Sequence, residues 1–230
     1  MNKFLILAAH PDDEILGCGA TAARLIDEGF RGKSVILSQG MLSRGEEYRE
    51  NLGELHDATL SANNILGIDN VKIYDYPDNA FDTVPRLEII KSVEQEVDDF
   101  QPDIIFTHFG HDLNIDHRRT FEAVLTACRP IPGEKQPDIY SFFVPSSTDW
   151  TDGNCMKSFV PNVFVDVSAS IERKLEALNC YTTEMREYPH SRSLESIRIF
   201  SQYWGNRVGM EWCEPLILVR KLINNSITFQ

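Results

Sequence analysis

The beginning of the chain constrains its fold most. Phe4-Leu5-Ile6-Leu7 is an apolar run; Ala8-Ala9-His10-Pro11-Asp12-Asp13-Glu14 breaks it, and the small-residue segment Gly17-Cys18-Gly19-Ala20-Thr21-Ala22-Ala23 follows. That order reads as a strand, a sharp loop and a helix packed closely on a sheet. Pro11 has no backbone N–H and a fixed φ, which suits the loop. One imidazole and two adjacent carboxylates then stand at the carboxyl end of a strand, where open α/β sheets bind ligands. His and Asp are suitable ligands for a divalent metal, and a second Asp beside them can take a proton from water. Taken alone, so short a motif describes equally well a solvated loop whose Asp12 caps the next helix.

The rest of the chain alternates in the same way. The first helix runs from Glu14 to Glu28 and stops at Gly29. Ser34–Ser38 is a second strand, followed by a charged helix from Glu46 to Leu66 closed by Gly67. Val71–Tyr74 is a third strand, and a helix begins at Pro85 and reaches Phe100. Asp103–Thr107 is a near-continuous apolar run that suits a parallel strand buried on both faces. A helix carrying Phe121, Val124, Leu125 and Cys128 comes next. Ile139–Val144 and Asn162–Val167 are further strands, with a helix from Ile171 to Glu187 capped by Ser168 or Ser170. Pro189 breaks that helix, Leu194–Trp204 is the last one, and Pro215–Arg220 is a final strand, antiparallel or at an edge because of Pro215. Alternation of strand and helix requires parallel strands with right-handed crossovers. The expectation is a Rossmann-like three-layer α/β/α fold with a mostly parallel central sheet and an additional C-terminal strand and helix region, forming one domain over 1–230. A dinucleotide site is excluded, because Gly-x-Gly-x-x-Gly is absent and the acidic loop repels a pyrophosphate.

In this arrangement the loop after the first strand and the loop after the fourth lie at the same sheet edge. The fourth strand delivers His108, His111, Asp112, Asn114, Asp116 and His117 within ten residues. Arg44, at the end of the second strand, either contacts a substrate oxyanion or sugar hydroxyl or makes a salt bridge at a helix start. Asp78 and Asn79 either receive sugar hydroxyls or make a turn. His56 reads as a surface histidine, and Arg207 and Glu214 as structural charges.

His10-Pro11-Asp12-Asp13-Glu14 after an N-terminal strand, with Asn114-Ile115-Asp116-His117 in the place of a His-x-Asp-His motif, resembles the LmbE-like, PIG-L family of metal-dependent N-deacetylases. The likeness extends through Leu42-Ser43-Arg44, Tyr76-Pro77-Asp78-Asn79, Thr107 to Leu113, Pro145 to Trp150 and Pro189-His190-Ser191-Arg192-Ser193, and is greatest to the bacterial branch that acts on sugars. The resemblance implies that His10, Asp13 and His117 hold zinc, with ferrous iron or another divalent metal as alternatives. It implies Asp12 as general base and Asp116 as the partner that orients an imidazole; Arg44, Asp78, His111, Asp112, His190 and Arg192 are the expected substrate contacts, His190 and Arg192 on a late loop that either folds over the pocket or is only structural. The expected reaction is hydrolysis of the N-acetyl group of an N-acetylglucosamine-type sugar or conjugate. The family motif usually has histidine where this chain has Asn114. Asn donates a hydrogen bond but transfers no proton, so either it keeps the neutral part of that role, or His111 or His190 substitutes, or turnover is slow. A metal-containing sugar-binding homologue with weak catalysis is the rival. A magnesium phosphohydrolase is disfavoured by the two histidines.

At 230 residues one sizeable core is attainable. The net charge of -13 argues against nonspecific binding to nucleic acid or an anionic membrane. The five cysteines are scattered, and none forms a Cys-x-x-Cys pair. That pattern suits buried thiols in a reducing cytoplasm. No run approaches membrane-spanning length, and assembly of several copies is compatible with everything above.

Overall fold

A computed structural model describes residues 1–223, and the side chains of Arg44 and Glu46 lie outside the described residues. Seven strands form a sheet: β1 (Lys3–Ala8), β2 (Arg31–Ser38), β3 (Val71–Tyr76), β4 (Ile104–Thr107), β5 (Asp138–Ser141), β6 (Val163–Asp166) and β7 (Cys213–Arg220). Their order is β3-β2-β1-β4-β5-β7-β6. The first five pair in parallel; β7 is antiparallel to both β5 and β6. Chain order reverses between β1 and β4, the switch point at which a crevice opens above the strand ends.

The helices are α1 (Asp13–Asp27), α2 (Leu52–Leu66), α3 (Arg86–Phe100), α4 (Ile115–Ala127), α5 (Ile171–Leu178) and α6 (Leu194–Val208). The period-two alternation of β1 separates two cores. Phe4 and Ile6 face the cluster with Leu16, Ala20, Leu66, Leu175 and Leu178 of α1, α2 and α5. Leu5 and Leu7 face the cluster with Ile89, Val93 and Val124 of α3 and α4. The result is the expected three-layer α/β/α arrangement.

Several expected boundaries differ. The segment Glu46–Asn51 is 3-10 helix leading into α2. The helix expected to reach Glu187 ends at Leu178, because the chain turns so that Tyr181 enters the core with its hydroxyl on Glu14. Ser170 is the N-cap of α5, but its hydroxyl donates to the Ala20 carbonyl instead of capping. β7 is antiparallel yet internal: Pro215 lies opposite Phe164 of β6 and beyond the last pairing with β5, so its missing N–H falls where β6 alone is alongside. Of the cysteines, Cys18, Cys128 and Cys213 are buried, whereas Cys155 is exposed.

Helix α1 approaches the sheet so closely that a Cβ at Gly17 would overlap the Phe142 ring. It is also broken at Cys18, whose φ of -147° and ψ of 22° are not helical. The backbone groups freed there are taken by a buried ion pair. Lys174 Nζ donates to the Leu16 carbonyl (2.8 Å) and to Glu214 (2.6 Å), while Glu214 accepts from the N–H of Ala20 (3.1 Å) and Thr21 (2.6 Å). Buried backbone polar groups require such partners. Glu214 is thereby a structural charge, as expected.

Candidate metal centre and active site

The loop after β1 places His10 above the strand end and turns sharply at Asp12, which has φ 98° and ψ -32°. A non-glycine residue held there stores about 1–3 kcal/mol of strain, which surrounding bonds must sustain. The Asp12 N–H donates to Glu14 Oε2 (3.1 Å), and its carbonyl accepts from Leu16 (2.8 Å). Its side chain makes no cap to α1, so the capping alternative does not apply. It accepts instead from Arg192 at 2.9 Å.

Asp13 Oδ2 lies 3.2 Å from His10 Nδ1 and 3.2 Å from His117 Nε2. All three ligand atoms fall within 4.8 Å of one another. Donors about 2.0–2.2 Å from a tetrahedral zinc ion stand about 3.3–3.6 Å apart, so the separations suit such an ion. The outer nitrogen of each imidazole meets a carboxylate. His10 Nε2 is 3.0 Å from Asp116, which also accepts from the Phe81 N–H; His117 Nδ1 is 3.2 Å from Asp112. That carboxylate–histidine pattern fixes ring orientation around a metal. A second grouping joins His10 with Asp78 and Asp116, both of which lie against His10 Nε2. Its proton serves the bond to Asp116, so this grouping reads as hydrogen bonding.

The electrostatics favour a cation. Burial alone would lower the histidine pKa values, but Asp13 and Asp112 raise that of His117 to about 9, and hydrogen bonds to Asp116 and Asp13 raise that of His10 well above its usual value. Burial would raise Asp13, yet His117 and His108 hold it well below the carboxylate range. Asp12 goes the other way: burial raises it well above the carboxylate range, opposed by Arg192.

His10, Asp12, Asp13, Asp78, Asn114, His117 and Arg192 line one cleft of about 300 Å³. Asp78 accepts from the Ser43 N–H at 3.0 Å and lies 3.3 Å from His10 Nε2, so it belongs to the site wall as well as to its turn. Asn114 is the N-cap of α4: Oδ1 accepts from Asp116 N (2.8 Å), and Nδ2 donates to Asn79 (2.9 Å). Asp112, expected at the substrate, is fully buried behind His117, with its oxygens bonded to Ser147 and Thr148. His111 packs against Phe109, outside the cleft lining. His190 is also off the lining; its ring packs against Trp150, and its Nδ1 accepts from the Arg192 N–H. The Arg44 expectation lies outside the described residues.

Three further residues take part, of which Glu184 and Glu14 carried no expected role, while His108 was expected at a strand end, satisfying a backbone group or touching the site. Glu184 lines the cleft and pairs with Arg192 at 3.5 Å. Glu14 anchors the Asp12 backbone. His108, fully buried, stacks on His117 with centroids 3.9 Å apart, and its Nε2 accepts from Ala9 N at 2.8 Å. No local pattern signals Glu184, whereas Glu14 belongs to the first motif and His108 to the polar run after the fourth strand.

Among described residues no helix is long and apolar enough to cross a membrane. Sequence relatives that cover most of the chain include two sugar deacetylases. One is a probable N-acetyl-alpha-D-glucosaminyl L-malate deacetylase 2 of Bacillus anthracis, 26% identical over 78% of this chain and 80% of that protein. The other is the diacetylchitobiose deacetylase of Thermococcus kodakarensis, 26% identical over 95% of this chain and 84% of that protein. The fold also matches GalB, the 4-carboxy-2-hydroxymuconate hydratase of Pseudomonas putida, with a TM-score of 0.75, 18% identity and coverage of 99% and 100%. One scaffold therefore carries different reactions, and the site has to decide between them. The family model described as PIG-L, GlcNAc-PI de-N-acetylase, matches residues 5–128, and the chain belongs to that family.

Proposed function

We propose that this protein is a zinc-dependent N-deacetylase acting on an N-acetylglucosamine-type sugar or its conjugate. The observation that carries the reading is Asp13 Oδ2 standing 3.2 Å from a ring nitrogen of both His10 and His117, with the Asp12 carboxylate on the same cleft. Zinc held by His10, Asp13 and His117 would polarise the acetamide carbonyl and ease ionisation of a water, and ferrous iron suits the same donors. Asp12 takes the proton of the attacking water. Burial strengthens its hold on that proton, so the same carboxyl group can return it to the departing amine nitrogen. Water and acetamide thus become acetate and a free amine. Arg192 keeps the Asp12 carboxylate aimed across the cleft, and Asp112 and Asp116 hold the imidazoles. Asn114 has one amide hydrogen on Asn79; the other is offered to the substrate carbonyl oxygen.

The test is release of free amine from a panel of N-acetylated amino sugars and their glycosides by zinc-loaded protein. Inertness toward all of them would reject the reading. A second reading, a sugar-binding homologue with weak catalysis, is favoured by Asn114, which is occupied as a helix cap and moves no proton. Sugar binding without amine release would support it.

A further inference from the structure

Three histidine rings crowd the Asp13 carboxylate. His108 Nε2 stands 3.5 Å from Asp13 Oδ2, little farther than the 3.2 Å of His10 Nδ1 and of His117 Nε2. By distance alone it could be a third imidazole on the same ion. Its lone pair is already committed. His108 Nε2 accepts the Ala9 N–H at 2.8 Å, so the ring carries its proton on Nδ1. A neutral imidazole has one nitrogen with a free lone pair, and here that nitrogen holds an amide.

The ring is also wedged. It lies nearly parallel to His117, with centroids 3.9 Å apart and 19° between planes, and it meets the Phe142 ring edge-on at 4.9 Å. The His108 carbonyl accepts from Ser141 Oγ at 2.8 Å, which ties the residue to β5. The amide it holds precedes His10, whose own N–H donates to Asp13 Oδ2 at 2.9 Å. Two successive amides past the end of β1 thus turn to His108 and to Asp13. One ring therefore meets the hinge of His10 by a hydrogen bond and His117 by a flat contact. His108 Nδ1 is buried without a partner. Leaving a donor so costs about 1–3 kcal/mol. An apolar ring would avoid that cost but give Ala9 no acceptor, and a glutamine would give an acceptor but no ring to stack.

We infer that His108 is a positioning residue and not a metal ligand. It sets the Ala9–His10 turn and the plane of the His117 ring, so that three protein donors hold the ion and the remaining positions stay open to water and substrate. This rests on His10, Asp13 and His117 as the metal centre of the proposed deacetylase.

The experiment loads wild type, His108→Gln, His108→Leu and His108→Asn with cobalt(II), whose visible absorption reports the number and kind of donors. Zinc affinity is measured alongside by competition with a chelator. The glutamine oxygen can take the Ala9 N–H in place of Nε2, so His108→Gln keeps the wild-type cobalt bands and a zinc affinity close to that of wild type. His108→Leu has no acceptor and no flat ring, and loses about 10–100-fold in zinc affinity. His108→Asn, one methylene shorter than glutamine, does not reach Ala9 and loses affinity likewise, which keeps the test alive if His108→Leu fails to fold. A cobalt spectrum altered in His108→Gln would make His108 a ligand. Undiminished affinity in the folded Leu or Asn variants would make it packing alone. Either result overturns the proposal. Neither measurement depends on turnover, so failure to release amine from any sugar would reject the deacetylase reading and leave the role of His108 standing. Failure of wild type to bind cobalt or zinc would overturn both.

Discussion

Asp12 and Arg192, 180 residues apart, meet at 2.9 Å in the wall of the cleft. Burial strengthens the hold of Asp12 on its proton, and the guanidinium works against that. On the proposed mechanism, the balance between them sets the pH at which Asp12 becomes a base. Arg192→Gln removes the opposing charge, so the acid limb of the kcat profile moves to higher pH by about one unit or more. Arg192→Lys, which keeps charge but loses the planar fork, moves it less. A profile that falls in height without moving along the pH axis would contradict the pairing.

Asp12→Asn fits the same turn, since Asn tolerates positive φ. Metal content by atomic emission stays at the wild-type stoichiometry, while turnover of an acetylated sugar falls about 10²–10⁴-fold. Full activity in this variant would remove Asp12 from the reaction.

Asp112 supports His117 from behind. Asp112→Ala is expected to weaken metal affinity about 10–100-fold in competition with a chelator. Unchanged affinity would mean that the 3.2 Å approach to His117 Nδ1 does not orient the ring.

Glu14 supplies a pH signature of folding. Burial raises its pKa to about 7, against the opposing bond from Tyr181. A carboxyl group raised on folding stabilises the native state fully below its unfolded pKa, and that contribution is lost as pH rises through the folded value. From about pH 4.5 to 7, the stability of metal-free wild type therefore declines relative to Glu14→Gln, by on the order of 2–3 kcal/mol. Urea unfolding of both proteins at pH 5 and pH 8 measures it; a pH-independent difference would refute it.

Lys174 and Glu214 are both buried, and each leaves an unpaired charge if the other is removed. Glu214→Ala or Lys174→Ala alone costs about 3–5 kcal/mol in denaturant unfolding. The double variant costs less than the sum of the two, which a double-mutant cycle reads directly.

The alternation of apolar strands and amphipathic helices was enough to bring His10 and His117 to one sheet edge, because parallel pairing leaves both loops at the same end. Asn114 as the N-cap of α4 was legible by residue type, although the family comparison drew attention to its chemistry. Other features depend on tertiary packing. The end of α5 at Leu178 depends on Tyr181 reaching Glu14, 167 residues earlier. Glu184 and Arg192 join the cleft only because that early end frees the following loop. Asp112 looked like a substrate contact from its motif, but burial turns its carboxylate toward Ser147, Thr148 and His117.

The break in α1 has a consequence for the order of assembly. The helix that begins with Asp13 is spliced at Cys18 by a carboxylate from β7, an element synthesised some 200 residues later. A nascent chain emerging from the ribosome can form β1 and its neighbours early, but it lacks the acceptor for the Ala20 and Thr21 amides until Glu214 has been translated. The loop that carries His10 and Asp13 is therefore set in its final shape only once Glu214 has been made, and fragments ending before Glu214 are expected to leave it loose.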